Sequence, residues 1–174
     1  NTDYGVTYVN GAYKFAQYVA QIGDEKYLTL QEAVNAATND PTIVLIKSIE
    51  QADGVIIDSK NIVVDLNENT FTVKEGASTN NRNFRIIGTS VVTIKNGTMV
   101  ADGEYSSGAY GTVRTEGTAN VTLTGLKLYN YRGNGLNIKV LSGTTVAIDN
   151  TVMHQCFDGV GCKSTCKFLL LGLL

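Results

Sequence analysis

Arg85, Arg114 and Asn137, with Tyr105, Tyr110, Tyr129, Tyr131 and Arg132, are the side chains of this sequence best suited to recognition chemistry. Tyrosine rings pack on the C–H faces of sugars, while guanidinium and amide groups offer planar donors to hydroxyls. Gathered on one surface, they would suit a polysaccharide or host glycan. Tyrosines and arginines also populate plain sheet exteriors, so a purely solvating role fits the same residues. His154, the sole histidine, lies near Cys156, Cys162 and Cys166, and imidazole with thiolates is sound zinc chemistry. The spacing lacks a CxxC knuckle, so the expectation is a turn histidine, with no metal and no cofactor. SSGAYG has neither a GxGxxG nor a GK[ST] context and reads as a turn. Asn96-Gly-Thr and Asn120-Val-Thr match a glycosylation pattern, but both asparagines have turn roles.

A repeat places these side chains. VTIKNGTM (92–99), VTLTGLKL (121–128) and VAIDNTVM (146–153) superimpose without a gap, matching Val92, Val121 and Val146, then Ile94, Leu123 and Ile148, then Met99, Leu128 and Met153. Asn96, Gly125 and Asn150 coincide between them and are types that tolerate the left-handed backbone a sharp bend needs. Upstream, NFRIIGTS, GTVRTEGT and GLNIKVLSG align Phe84, Val113 and Leu136, followed two places on by Ile86, Thr115 and Ile138. GVIIDSKNIVVDLNENTFTV is a looser earlier copy. Spacings of 29 residues (Val92 to Val121) and 25 (Val121 to Val146) suit one coil of a solenoid. Each copy alternates apolar and polar residues, so its apolar face is buried only when equivalent positions stack about 4.8 Å apart. On that alignment Arg85, Arg114 and Asn137 form an outward ladder. The connections ADGEYSSGAYG and YNYRGN then carry Tyr105, Tyr110, Tyr129, Tyr131 and Arg132 towards it.

Ahead of the copies, Thr29 and Glu32 form a capping-box pattern, and Leu30, Ala33, Val34 and Ala37 share a helical face. The prediction is an all-β solenoid with a short amphipathic helix over Leu30 to Ala37 covering its open apolar end. The chain has 174 residues, 43% of them hydrophobic, enough for one core. Its 14 Lys and Arg against 16 Asp and Glu leave a net charge of -2, which argues against nucleic acid as a partner. Residues 1–20 read as the end of a preceding segment or a linker, without a signal peptide, and 21–155 as the stacked region. In the tail, 156–174, DGVGCKST begins like another coil. KFLLLGLL then loses the alternation and is too short to span a membrane, so a truncated or non-native coil is expected.

IGDEKYLTLQEAVNAATNDPTIVLIKSI resembles the opening segment of right-handed parallel β-helix domains of the pectin-lyase-like superfamily, and VTIKNGTM and VAIDNTVM resemble its coil repeats. The resemblance covers roughly residues 20 to 155. It implies a right-handed β-helix, an extracellular or cell-surface bacterial protein, and a substrate groove, in active members, along the strand face of Arg85 and Arg114. Glycosidases need two carboxylates about 5 to 10 Å apart. Calcium-assisted lyases need an acidic cluster and a base. Asp58, Asp65, Asp102, Glu104, Glu116 and Asp149 fall at different positions of the repeat, and Asn1-Thr2-Asp3 lacks the partner motifs of a hydrolase. The expected function is therefore a non-catalytic spacer or adhesive surface that contacts glycans. The alternatives are a fragment of a polysaccharide lyase or glycoside hydrolase, and a phage tail fibre.

Overall fold

The computed structural model describes residues 3–74, 82–102, 112–131, 136–141, 143–154, 158–162 and 167–171. An antiparallel hairpin comes first, β1 (Tyr4–Val9) and β2 (Ala12–Gln17), turned by Asn10 and Gly11, both at positive φ. Asn-Gly is the dipeptide that tolerates two left-handed residues in a row. The short antiparallel pair β3 (Ala20–Ile22) and β4 (Glu25–Tyr27) then leads into α1 (Leu30–Ala36). The capping box is present: Thr29 Oγ1 accepts from Glu32 N, and Glu32 Oε2 accepts from Thr29 N, each at 3.1 Å. The helix ends at Ala36, one residue short of the predicted span, with Ala37 as its cap.

From here each repeat lays down up to three short legs. The strands are β5 (Thr42–Leu45), β6 (Ile49–Gln51), β7 (Val55–Asp58), β8 (Asn61–Asp65), β9 (Thr70–Val73), β10 (Phe84–Ile87), β11 (Val91–Ala101) and β12 (Val113–Thr115). They continue with β13 (Asn120–Asn130), β14 (Leu136–Val140), β15 (Thr145–Asp149), β16 (Val152–His154), β17 (Asp158–Cys162) and β18 (Lys167–Leu171). First legs pair in parallel as β7-β10-β12-β14-β17, and second legs as β5-β8-β11-β13-β15-β18, in a sheet that also takes in the antiparallel β3 and β4. The third legs are β6, β9, the far half of β11, the far half of β13, and β16. The class is all-β, in sheets of mixed direction with one short helix among the described residues.

The second-leg register is the one the repeat demands. Val92 pairs with Val121 and Val121 with Val146; Ile94 pairs with Leu123 and Leu123 with Ile148. All six are buried. Asn96, Gly125 and Asn150, at φ 56°, 63° and 41°, turn the chain from second leg to third. They let a strand bend while Met99, Leu128 and Met153 stay in column. The turn before the second leg needs glycine outright: Gly117 is at φ +76°, and a Cβ there would lie 2.9 Å from the carbonyl oxygen of Gly88 one repeat earlier. In the tail, the backbones of β17 and β18 pair with β14 and β15, with Phe168 opposite Val146 and Leu170 opposite Ile148. The loss of alternation in KFLLLGLL does not prevent this pairing.

The helix covers the start of the stack in two ways. Leu30, Ala33 and Val34 are buried in the shared core. Gln31, alongside them, acts as a surrogate strand for β7, the edge of the first-leg sheet: its Oε1 accepts from Ile56 N at 2.8 Å and its Nε2 donates to Ile56 O at 3.0 Å. Lys60 Nζ in turn donates to the carbonyls of Asn35 and Ala37 at 3.1 and 3.0 Å, satisfying the end of the helix. No helix among the described residues is long and apolar enough to cross a membrane.

Candidate functional site

Arg85 and Arg114 stand in register on neighbouring first legs, β10 and β12, on the outward side between buried Phe84 and Ile86 and between buried Val113 and Thr115. Both converge on Glu116, just past β12. Arg85 donates from Nε to Glu116 Oε1 at 2.8 Å and from Nη2 to Oε2 at 3.3 Å, a bidentate pair. Arg114 Nε lies 2.7 Å from the same Oε1. That contact is an ion pair by distance but is not aligned as a hydrogen bond. The hydrogen bonds from Arg85 hold the Glu116 carboxyl below the ordinary glutamate range. The positive charges of Arg114, Arg85 and buried Arg82 act in the same direction, against partial desolvation. The same hydrogen bonds raise Arg85. Glu116 is therefore an ionised acceptor that holds two guanidiniums, and it is unsuited to giving up a proton.

The third member of the ladder needs correction. Asn137 was expected to continue it, but Arg114 pairs with Lys139, and Val113 pairs with Ile138 in place of Leu136. A slip of two residues keeps every side chain on the same face, so alternation alone could not choose between the registers. The side chain of Asn137 lies outside the described residues.

The rings collect elsewhere. Tyr129, on the far half of β13, is in register with His154 on β16, and their rings stack at 4.6 Å between centroids and 10° between planes. Tyr131 stacks on Tyr129 at 6.0 Å and 17° and is 49% exposed. Below Tyr129 the same column holds Val100 and Thr72. The expected single surface is thus two: arginines on the first-leg sheet, rings on the third legs. Tyr105, Tyr110 and Arg132 lie outside the described residues, as do Cys156 and Cys166. His154 is half-buried in a strand and stacked, where a solvated turn had been expected. Its signal was present: carrying the gapless alignment of 121–128 on 146–153 one residue further sets Tyr129 against His154. Glu116 was legible too, standing two residues from Arg114 and so sharing its side of the strand.

Three of the other carboxylates weighed in the sequence are engaged locally. Asp65 is 3.3 Å from Lys95 Nζ and accepts from Asn96 Nδ2 at the same distance. Asp58 accepts from Ser59, and Asp149 from Thr124.

No protein-family model matches the chain, and no curated protein matches it. Among solved structures, a Parabacteroides merdae protein provisionally assigned as a glycosyl hydrolase aligns over 80% of this chain and 86% of its own, with 13% identity and a TM-score of 0.43. Similarity of that strength assigns neither fold nor activity to this chain, whose architecture is read from its own strand register.

Proposed function

We propose that the chain is part of a right-handed parallel β-helix, similar to the pectin-lyase-like superfamily, from an extracellular or cell-surface bacterial protein. In this reading it serves as a stiff, non-catalytic surface that contacts a polysaccharide or host glycan. The parallel pairing of equivalent residues from repeat to repeat supports the architecture. The observation that carries the binding role is the stack of Tyr131, Tyr129 and His154, with Tyr129 and His154 fixed on paired strands and Tyr131, just beyond β13, half exposed. A ring held rigid by its neighbours offers a sugar a C–H packing surface at little entropic cost. Arg85 and Arg114 lie on the other sheet, apart from this stack, and the carboxylate that they share, Glu116, is held ionised by the hydrogen bonds of Arg85, which supports a binding role over acid catalysis.

Glycan-array screening followed by affinity electrophoresis tests the site. Tyr131→Ala is expected to weaken binding about tenfold, or ~1.4 kcal/mol. Binding that survives Tyr129→Ala combined with Tyr131→Ala would remove the stack from consideration. Cleavage of polygalacturonate or alginate by the unmodified chain, abolished by Arg114→Ala, would replace this reading with a lyase or glycoside hydrolase.

A further inference from the structure

The β1–β2 hairpin carries a second surface of a different kind. Strand alternation and the Tyr4↔Gln17, Val6↔Phe15 and Tyr8↔Tyr13 register put Tyr4, Val6, Tyr8, Tyr13, Phe15 and Gln17 on one face. That face is open: Phe15 is 81% exposed, Tyr13 80% and Tyr8 63%. The opposite face is the seated one. Gly5 is buried, and a Cβ there would come within 3.0 Å of both Leu28 and the Tyr18 ring. The hairpin thus rests on the molecule through its back and turns its aromatic side outward.

This strip has a polar end. Tyr4 OH accepts from Gln17 Nε2 at 3.1 Å, and Gln17 Oε1 accepts from Lys47 Nζ. Lys47 in turn lines a cleft of about 240 Å³ together with Thr29, Ser48, Glu50 and Gln51. We infer that the aromatic face of the hairpin, running into this cleft, is a binding platform for a short neutral oligosaccharide.

Size and chemistry select that occupant. Six residues of strand extend about 20 Å, and two paired strands are about 5 Å apart, so the face offers a few hundred Å² at most. A specific protein interface takes about 800 Å² from each partner, well beyond this strip, whereas apolar patches of a few hundred Å² are often functional. Three of the rings are tyrosines, which can pack on C–H groups while their hydroxyls stay wet. The face carries no charged residue, which favours a neutral sugar over a uronate, and the cleft supplies hydroxyl, amide, ammonium and carboxylate partners where one sugar ring would end. The ligand class is that proposed for the Tyr131 stack, but no residue is shared, so the two sites stand or fall separately.

The chain contains no tryptophan, so tyrosine emission can report binding directly. Titration of the full chain with cello-, xylo- and manno-oligosaccharides is expected to quench that emission saturably with at least one of them. Tyr13→Ala combined with Phe15→Ala should weaken this binding at least tenfold, both in the unmodified chain and in a Tyr131→Ala background in which the stack no longer contributes. Both variants replace exposed rings, and circular dichroism checks that they fold. The inference is overturned if no neutral oligosaccharide binds, or if the hairpin variant binds as well as the unmodified chain. It is also overturned if sedimentation shows a dimer that the hairpin variant dissolves, or if the face binds phosphatidylcholine vesicles in preference to sugars. Loss of binding in Tyr131→Ala alone would overturn the hairpin site and leave the stack standing.

Discussion

Two aromatic pairs lie at nearly the same separation: Phe71 and Phe84 at 5.4 Å between centroids, Tyr8 and Tyr13 at 5.0 Å. The first pair is fully buried and edge-to-face; in the second, the rings are 63% and 80% exposed. Both arise from strands with alternating side chains. The difference is the layer opposite. In the repeats the inner faces of the strands join one shared hydrophobic core. In the hairpin, Gly5 is the sole buried residue, and nothing described faces the aromatic side. Alternation decides which residues share a face, and the second layer decides whether that face is a core or a surface.

The sharpest way to break this comparison is to truncate one ring from each region. Phe84→Ala should cost about 3 to 5 kcal/mol of stability, because the cavity cannot collapse within a stack held by backbone pairing. Phe15→Ala should stay within about 0.5 kcal/mol, since it removes an exposed ring. Guanidinium unfolding of both variants measures the contrast, and equal losses would mean that the hairpin face is covered in solution.

A smaller effect tests how the stack ends. Gln31→Met preserves helix propensity but removes both hydrogen bonds to Ile56, each worth about 0.5 to 1.5 kcal/mol net. The expected loss is about 1 to 3 kcal/mol, accompanied by light scattering as the edge of β7 becomes available for pairing. An unchanged midpoint without aggregation would show that water satisfies that edge equally well.

The smallest effect concerns the arginine pair. Glu116 is 21% exposed and Arg85 35%, so solvent screens their ion pair, and Glu116→Gln should cost less than about 1 kcal/mol at neutral pH. The sign with pH is fixed by the lowered carboxyl of Glu116. Its contribution is present above the ordinary glutamate range and is lost as the pH falls through the lowered folded value, where the folded carboxylate also takes up its proton. The stability difference between Glu116→Gln and the unmodified chain should therefore shrink in acid. A difference that widens as the pH falls would contradict the bidentate pairing.

The all-β class and the register of the second legs were largely legible. Val92, Val121 and Val146 could be set in column because three copies agree in residue type and in the left-handed position between their legs. Thr29 and Glu32 announced the helix because a capping box is a local pattern, closed within four residues. The candidate site was legible only in part. Arg85 over Arg114 followed from the 29-residue spacing, and the 25-residue spacing of Val121 to Val146, carried to Arg114, gives Lys139; setting Leu136 on Val113 used an offset of 23 residues, which alternation tolerates because its parity is the same. The exposed hairpin face escaped notice because cross-strand alternation looks the same whether or not something packs on it.

The chain's own pattern was enough to specify which side chains point inward, where the backbone must turn left-handed and where the helix begins, since each depends on neighbours a few residues away or on a repeated spacing. Folding in three dimensions was needed to turn shared registers into contacts: the hydrogen bonds of Arg85 to Glu116, the ring of His154 stacked on Tyr129, and Gln31 bonded to the edge of β7. Those contacts join residues far apart in the chain at ångström distances, and such distances are set only once neighbouring strands have fixed their hydrogen-bond register.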